Sequence, residues 1–347
     1  MSYAYVLMSR IAELHPNSKR YVFVIDIDHG SEITSFNVGT LVGAEDFLTQ
    51  GLVQFLHFKY DAFELSTAVR PYAHQYLRDK TDCSCWIYLD SDLYPVGEIL
   101  SLLDKDETSE IFVSPHRLSP SSGVYGPQGD YGLLKSGTFN GGFLGIRRGL
   151  LSSAFIDWFL KCCEERCFHL YEHCYGDQLW FNLVPVYFES LCVVRHLGAN
   201  IGYWNIDERP LEYDSQRNLV VNGAPVLFLH FSGWDPDHPE IMSRYFSDET
   251  VPKPWFDYAQ EYSRALKQVM EKFPRDIPYR WSTYEDASPI LGYERRKYAG
   301  MVENGEWPKD LNPFTAQEIL RDPIPSRLER IVERLRKIPR KVMNLLR

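Results

Sequence analysis

The chain has 347 residues, 44% of them hydrophobic and 24% charged, which is the balance of an ordinary globular protein. That length suffices for one large α/β domain with an extension, or for two average domains. With 37 Lys and Arg against 47 Asp and Glu, the formal charge is −10, which argues against a general nucleic-acid-binding surface. No apolar run approaches the roughly 18–20 residues that span a bilayer. The start, Met1-Ser2-Tyr3-Ala4-Tyr5, has no basic segment leading into an apolar one, and seven cysteines are an odd number. The expectation is a reduced cytoplasmic protein with neither a signal peptide nor a disulfide framework.

In chain order, residues 4–14 place Val6, Leu7, Ile11 and Leu14 at helical spacing, and His15-Pro16-Asn17-Ser18 breaks the helix. Residues 21–27 are an apolar, β-branched and aromatic run that predicts a buried strand. Leu52 to Phe58 is ambiguous between strand and helix. Residues 62–78 read as a helix through Phe63, Leu65, Val69 and Leu77, with Pro71 at a kink or near a turn. Strands follow at 85–90, 110–114 and 141–146, then a helix over about 149–164, a short helix at 177–184, and strands at 191–194 and 226–231. This alternation predicts a mainly parallel sheet with helices on both faces.

Past about residue 245 strand-like runs disappear, so the division expected is 1–245 for the α/β domain and 246–347 for a helical extension. Residues 326–347 hold eight Arg or Lys against two Glu, and Leu328, Ile331, Val332, Leu335 and Ile338 share one helical face. A basic amphipathic helix of this kind suits peripheral contact with an anionic membrane, with a docking helix or a solvated tail as the plainer alternative.

Four segments carry chemistry. In Trp86-Ile87-Tyr88-Leu89-Asp90-Ser91-Asp92, an apolar strand delivers two carboxylates at its C-terminal end, the edge where open α/β sheets bind ligands. Like charges so close need a cation or hydrogen bonds, and hard divalent ions such as Mn²⁺ or Mg²⁺ take oxygen ligands while bridging to phosphates. The inference is a metal–diphosphate site, against the alternative of a solvated acidic turn. In Phe139-Asn140-Gly141-Gly142-Phe143, the glycines allow close backbone approach and Asn140 offers a donor and an acceptor to hydroxyls. In Tyr175-Gly176-Asp177-Gln178, Asp177 is either a helix cap or, with Gln178, a pair facing a sugar. Phe228-Leu229-His230-Phe231-Ser232-Gly233 is another apolar strand ending in a polar group, and a neutral imidazole can join two carboxylates on a borderline metal.

In this order these elements resemble nucleotide-sugar-dependent glycosyltransferases of the GT-A fold, broadly the retaining, glycogenin-like family 8. They are more closely similar to bacterial glycosyltransferase domains with the pattern F-x-Y-D-x-x-E-x-x-T-A-x-[KR]-P followed by Y-L-D-x-D. The matching residues run from Phe58-Lys59-Tyr60-Asp61 through Glu64, Thr67-Ala68 and Arg70-Pro71 to Tyr88-Leu89-Asp90-Ser91-Asp92. The resemblance covers about residues 2–240. It implies a Rossmann-like GT-A domain, a UDP-sugar or related donor, and transfer to a glycan, lipid-linked or protein acceptor in glycan or polysaccharide biosynthesis, with retention. It further implies that Asp90, Asp92 and His230 hold the metal, that Arg70, Asn140, Gly141, Gly142 and Gly233 contact the donor, and that Asp177 and Gln178 flank the reacting sugar. Two departures stand out. Ser2-Tyr3-Ala4-Tyr5 already resembles the helix that follows the family's first strand, so that strand is expected to be absent or short. Trp234-Asp235-Pro236-Asp237 stands where family 8 usually carries a lysine.

Competing readings are a non-catalytic glycan- or nucleotide-sugar-binding scaffold of the same fold, and a nucleotidyltransferase, which would need an early Gly-rich basic loop that the sequence lacks. The cluster Cys162, Cys163, Cys167, His169, His173 and Cys174 has spacings that suit zinc, with buried core thiols as the plainer alternative.

Overall fold

The computed structural model describes residues 1–27, 33, 35–121, 123, 129–170, 174–246, 251–273 and 278–321. The basic helix expected over 326–347 lies outside them. The described chain falls into two compact units, residues 1–49 with 63–278, and residues 50–62 with 279–347. No helix among the described residues is long and apolar enough to cross a membrane.

The first unit opens with α1 (Ser2–Leu14), then β1 (Tyr21–Val24) parallel to β2 (Thr40–Gly43) and the single turn α2 (Ala44–Phe47). The second unit takes α3 (Gln50–Lys59), and α4 (Ala62–Ala68) leads back into the first. The predicted helix over 62–78 is therefore two helices. A new one, α5 (Arg70–Lys80), begins at Arg70 with Pro71 in its first turn, where the missing N–H costs nothing. Then come β3 (Cys85–Leu89), β4 (Leu93–Pro95), β5 (Ile111–Pro115), α6 (Asp130–Ser136), β6 (Phe139–Arg147) and α7 (Leu150–Glu165). A short hairpin, β7 (His169–Leu170) and β8 (Cys174–Tyr175), precedes a 3₁₀ turn over Gln178–Leu183 and α8 (Val184–Tyr187). The rest of the unit is β9 (Leu191–Val193), β10 (Leu211–Tyr213), β11 (Leu219–Val221), β12 (Ala224–Pro225), β13 (Phe228–His230) and α9 (Lys253–Met270). Thus α9, although past residue 245, belongs to the first unit by its contacts.

The fold is α/β, and its sheet is mixed where the alternation of elements predicts a mainly parallel one. The central order is β3-β6-β5-β9, with β6 antiparallel to both neighbours and only β5–β9 parallel. Strands of four to nine apolar residues look alike in either direction, so hydrophobic runs cannot reveal this polarity. Between Val113 and Ser114 the β5–β6 register slips from Val113↔Leu144 to Ser114↔Asn140, leaving Gly141, Gly142 and Phe143 without β5 partners. Such a bulge re-aims the strand locally.

Strand alternation on β13 feeds two cores. Phe228 packs with Leu7, Leu93, Phe112 and Phe143, its ring stacked on Phe143 at 5.8 Å. Leu229 and Phe231, on the opposite side, meet Trp255, Ala259, Tyr262 and Leu266, the buried stripe of α9. Each fully buried side chain of this size contributes about 1.5–3 kcal/mol relative to exposure, so β13 is pinned from both faces.

The second unit centres on Phe58, whose ring lies 4.9 Å from Tyr298 and 5.0 Å from Phe314. Helix α3 ends where the buried Arg295 of α10 (Gly292–Glu303) donates to the carbonyls of His57, Phe58 and Tyr60. A last turn, α11 (Gln317–Leu320), closes the described chain.

His74 on α5 is buried, and its Nδ1 accepts a 2.9 Å hydrogen bond from Trp86 Nε1. Burial, with nearby Arg70 adding to it, pushes the imidazole down to about 3. A depressed folded value means stability that is full above about pH 6.5 and is lost as pH falls toward the folded value. At about 1.4 kcal/mol per pH unit, the loss from this group between pH 6.5 and 5 is about 2 kcal/mol. His74→Gln keeps an acceptor for Trp86. In urea titrations, its fall in unfolding free energy between pH 7 and 5 should be smaller than wild type's by about that amount; equal falls would contradict a neutral buried ring.

Candidate active site

Strand pairing brings the acidic segment and the late histidine together. The β3–β6 register ends at Leu89↔Phe143, and the next step carries a 3.0 Å bond from Asp90 N–H to the Gly142 carbonyl. On the other side, β4 pairs antiparallel with β13 at His230↔Leu93, and Phe231 N–H donates to the Asp92 carbonyl at 3.0 Å. Asp90, Asp92 and His230 thereby each offer a ligand atom within 4.8 Å of one another, a group able to hold a metal ion. His230 Nε2 stands 3.2 Å from Asp92 Oδ1. Two carboxylates and one imidazole suit Mn²⁺ or Mg²⁺.

Arg70, first residue of α5, bridges two of the acids. Its Nη2 donates to Asp90 Oδ1 at 2.6 Å, and its Nη1 to Asp177 Oδ2 at 2.8 Å and to the Gly141 carbonyl at 3.1 Å. Tyr88 adds a 2.6 Å hydrogen bond to Asp90 Oδ1 and lays its ring 5.1 Å from the guanidinium. Burial would strip Arg70 of its charge, but Asp177 and Asp90 outweigh it and raise the guanidinium well above its usual range. Burial would likewise raise Asp92, yet the adjacent His230 ring brings it below the usual carboxylate range. Asp177 goes the other way: burial, tempered by Arg70 and reinforced by Asp90, pushes it up to about 6.

Asn140 and Gln178 are spent on the site's frame. Asn140 Oδ1 accepts from Gly142 N–H and Asn200 Nδ2, both at 3.0 Å, while its Nδ2 faces His116 Nε2 at 3.2 Å and Gln178 Oε1 at 3.4 Å. Gln178 Oε1 also accepts from Gly141 N–H at 2.9 Å, and Nε2 donates to the Ser136 carbonyl. Gly141 and Gly142 line the site directly. A methyl on Gly142 would sit 2.5 Å from His230 Cε1 and 3.1 Å from Asp90 Oδ2; one on Gly141 would sit 2.7 Å from Arg70 Nη1. Gly233 stands apart in a left-handed turn (φ +67°), pressed against Tyr245 and Ser243. The sequence alone points to ten of these positions, Arg70 among them, and misses Tyr88, Asn200 and His116. Tyr88 lay in view as the residue before Leu89-Asp90, whereas Asn200 in Gly-Ala-Asn-Ile-Gly gives only a turn signal.

Among the described residues, Asp90, Asp92 and His230 are the one such ligand group. Cys162, Cys163 and Cys167 are buried, and burial pushes the Cys162 thiol up to about 11. His173 of the candidate zinc cluster lies outside the described residues.

No protein-family profile matches the chain. It is 28% identical over 156 residues to the uncharacterized protein YfnF of Bacillus subtilis (strain 168), covering 45% of this chain and 44% of that one. It is 23% identical over 201 residues to YfnD of the same organism, covering 56% and 62% respectively. The aligned part thus spans about half the length of these curated relatives. Among solved structures it is similar to the glycosyltransferase GlyE of Streptococcus pneumoniae, at 19% identity and a TM-score of 0.42 over 82% of this chain and 63% of that one. It is also similar to the galactosyltransferase LgtC in complex with donor and acceptor sugar analogs, at 16% identity and a TM-score of 0.40 over 81% and 94%.

The Gly142 contacts lead to an expected outcome. Gly142→Ala forces His230, Asn140 or Asp90 to move, and overpacking of this kind costs about 1–3 kcal/mol. Thermal unfolding should register that loss; an unchanged midpoint would show that the space beside Gly142 is not needed.

Proposed function

We propose that the chain is a metal-dependent glycosyltransferase of the GT-A type. On this reading it moves a sugar from a nucleotide-diphosphate sugar, a UDP-sugar, to a hydroxyl of a glycan, lipid-linked or protein acceptor in bacterial glycan biosynthesis. The observation that carries the reading is the meeting of Asp90, Asp92 and His230 at the ends of β3 and β13. It gains support from the motifs that resemble this family, because Arg70, Asp90, Asn140, Asp177 and Gln178, far apart in sequence, hydrogen-bond to one another or to Gly141 and Gly142 beside that point.

Asp90 and Asp92 would supply the oxygen ligands and His230 the nitrogen of a divalent ion, which would lend Lewis acidity toward the leaving nucleoside diphosphate. Arg70 holds Asp90 and Asp177 in fixed positions, so the carboxylates need not reorganise during reaction. Above about pH 6 Asp177 is ionised in the metal-free protein. Its carboxylate then faces the developing positive charge of an oxocarbenium-like centre. Gln178, tied to the backbone of Gly141, orients that side of the site. Following the resemblance to retaining family 8 enzymes, we assign same-face attack by the acceptor hydroxyl, with retention.

The test is a screen of nucleotide sugars with Mn²⁺, following nucleoside diphosphate release. Wild type should turn over one donor only with metal present. Asp92→Asn should lower that rate by about 10²–10³-fold, the scale of losing one preorganised charge-stabilising group. Binding of a donor without any turnover would favour the scaffold reading, and full activity in Asp92→Asn would refute the metal role.

A further inference from the structure

We propose that Asn200 is a positioning residue of the metal site: it fixes which ring nitrogen of His230 carries hydrogen, and so leaves the Nε2 lone pair for the cation. This rests on the reading of Asp90, Asp92 and His230 given above.

The assignment follows from one backbone group whose polarity is beyond choice. Gly142 N–H can only donate, and it points at the terminal amide atom of Asn140 at 3.0 Å, so that atom is the oxygen. Asn200 approaches the same oxygen at 3.0 Å and must present its NH₂ there; its second amide hydrogen goes to Ser114 Oγ at 3.3 Å. The remaining atom of the Asn200 amide is therefore its oxygen, and it faces His230 Nδ1 at 2.9 Å. An oxygen in that place demands a hydrogen on Nδ1. The neutral ring then carries its lone pair on Nε2, the atom 3.2 Å from Asp92 Oδ1. Two acceptors so close repel unless a cation or a proton lies between them.

The relay is sheltered and stiff. Ser114, Asn140, Asn200 and His230 are all buried. Asn200 sits at φ +57°, in the left-handed region that asparagine tolerates better than most residues. Its carbonyl accepts from Asn205 Nδ2 at 3.1 Å, and the His230 N–H donates to the Ile201 carbonyl at 2.7 Å. The edge of Trp204 stands against the His230 ring, with centroids 5.0 Å apart, and hinders its rotation. Partners that orient a ligating histidine typically alter metal affinity by roughly 10–100-fold when removed.

The test uses full-length protein with ¹⁵N-labelled histidine, without metal and then with Mn²⁺. Asn200→Gly is the variant of choice, because glycine accepts the left-handed backbone without strain. Wild type should show a hydrogen-bearing Nδ1. Asn200→Gly should shift the hydrogen to Nε2, and calorimetric titration should give a Kd for Mn²⁺ raised roughly 10–100-fold. Ser114→Ala, which removes a contact of Asn200 but not the one to His230, should keep the wild-type ring signals. A bare Nδ1 in wild type overturns the proposal without recourse to any variant. Wild type that binds Mn²⁺, with Asn200→Gly retaining both ring state and affinity, overturns the Asn200 role and leaves the metal reading standing. Wild type that binds no Mn²⁺ overturns both.

Discussion

Three carboxylates, those of Asp90, Asp92 and Asp177, are gathered in a confined space with the single guanidinium of Arg70. Like charges brought out of water are costly unless something of opposite sign is held among them. Arg70 meets that need for Asp90 and Asp177, at 2.6 and 2.8 Å. His230 stands beside the third acid. Burial, with Asp90 adding to it, still pushes Asp177 up to about 6 despite Arg70. A region that retains uncompensated negative charge has a built-in affinity for cations. That constraint explains why the residues around it are so fully committed to one another.

The sheet supplies the geometry. Asp90 and Asp92 flank the turn from β3 into β4, and β4 in turn holds β13, so the spacing between acids and imidazole is set by backbone pairing and not by flexible side chains. The bulge on β6 frees Gly141 and Gly142 from β5 and lets them face the site. There the missing side chain at Gly142 leaves room that His230, Asn140 and Asp90 fill. Packing on both faces of β13 then holds the imidazole's strand in place. Sites built on paired strands keep their geometry better than sites on loops.

Much of this was legible in the sequence, for identifiable reasons. The strands at Cys85–Leu89 and Phe228–His230 announce themselves as apolar runs ending in a polar residue, and Pro71 marks a break in the helical run that proves to be the start of a second helix. What stayed hidden depends on partners distant in sequence. Leu93–Pro95 is too short to read as a strand, yet its pairing brings His230 to Asp92. The segment 52–58 becomes helix α3, whose end is secured by Arg295 more than 230 residues later. Strand polarity leaves no periodic trace, so the mixed sheet could not be foreseen. Asn200 looks like any turn asparagine until its three hydrogen-bond partners are seen together.

The path of the chain carries one more consequence. Residues 50–62 belong to the same compact unit as the segment beginning at Tyr279, so neither unit is a continuous stretch of sequence. The aromatic cluster about Phe58 joins the two pieces of the second unit. A cut near Pro278 would therefore not release a self-sufficient cassette: it would strand α3 with a bare apolar face and invite self-association. Recombination or gene fusion that treats the C-terminal stretch as an exchangeable module would have to carry the early insert along with it.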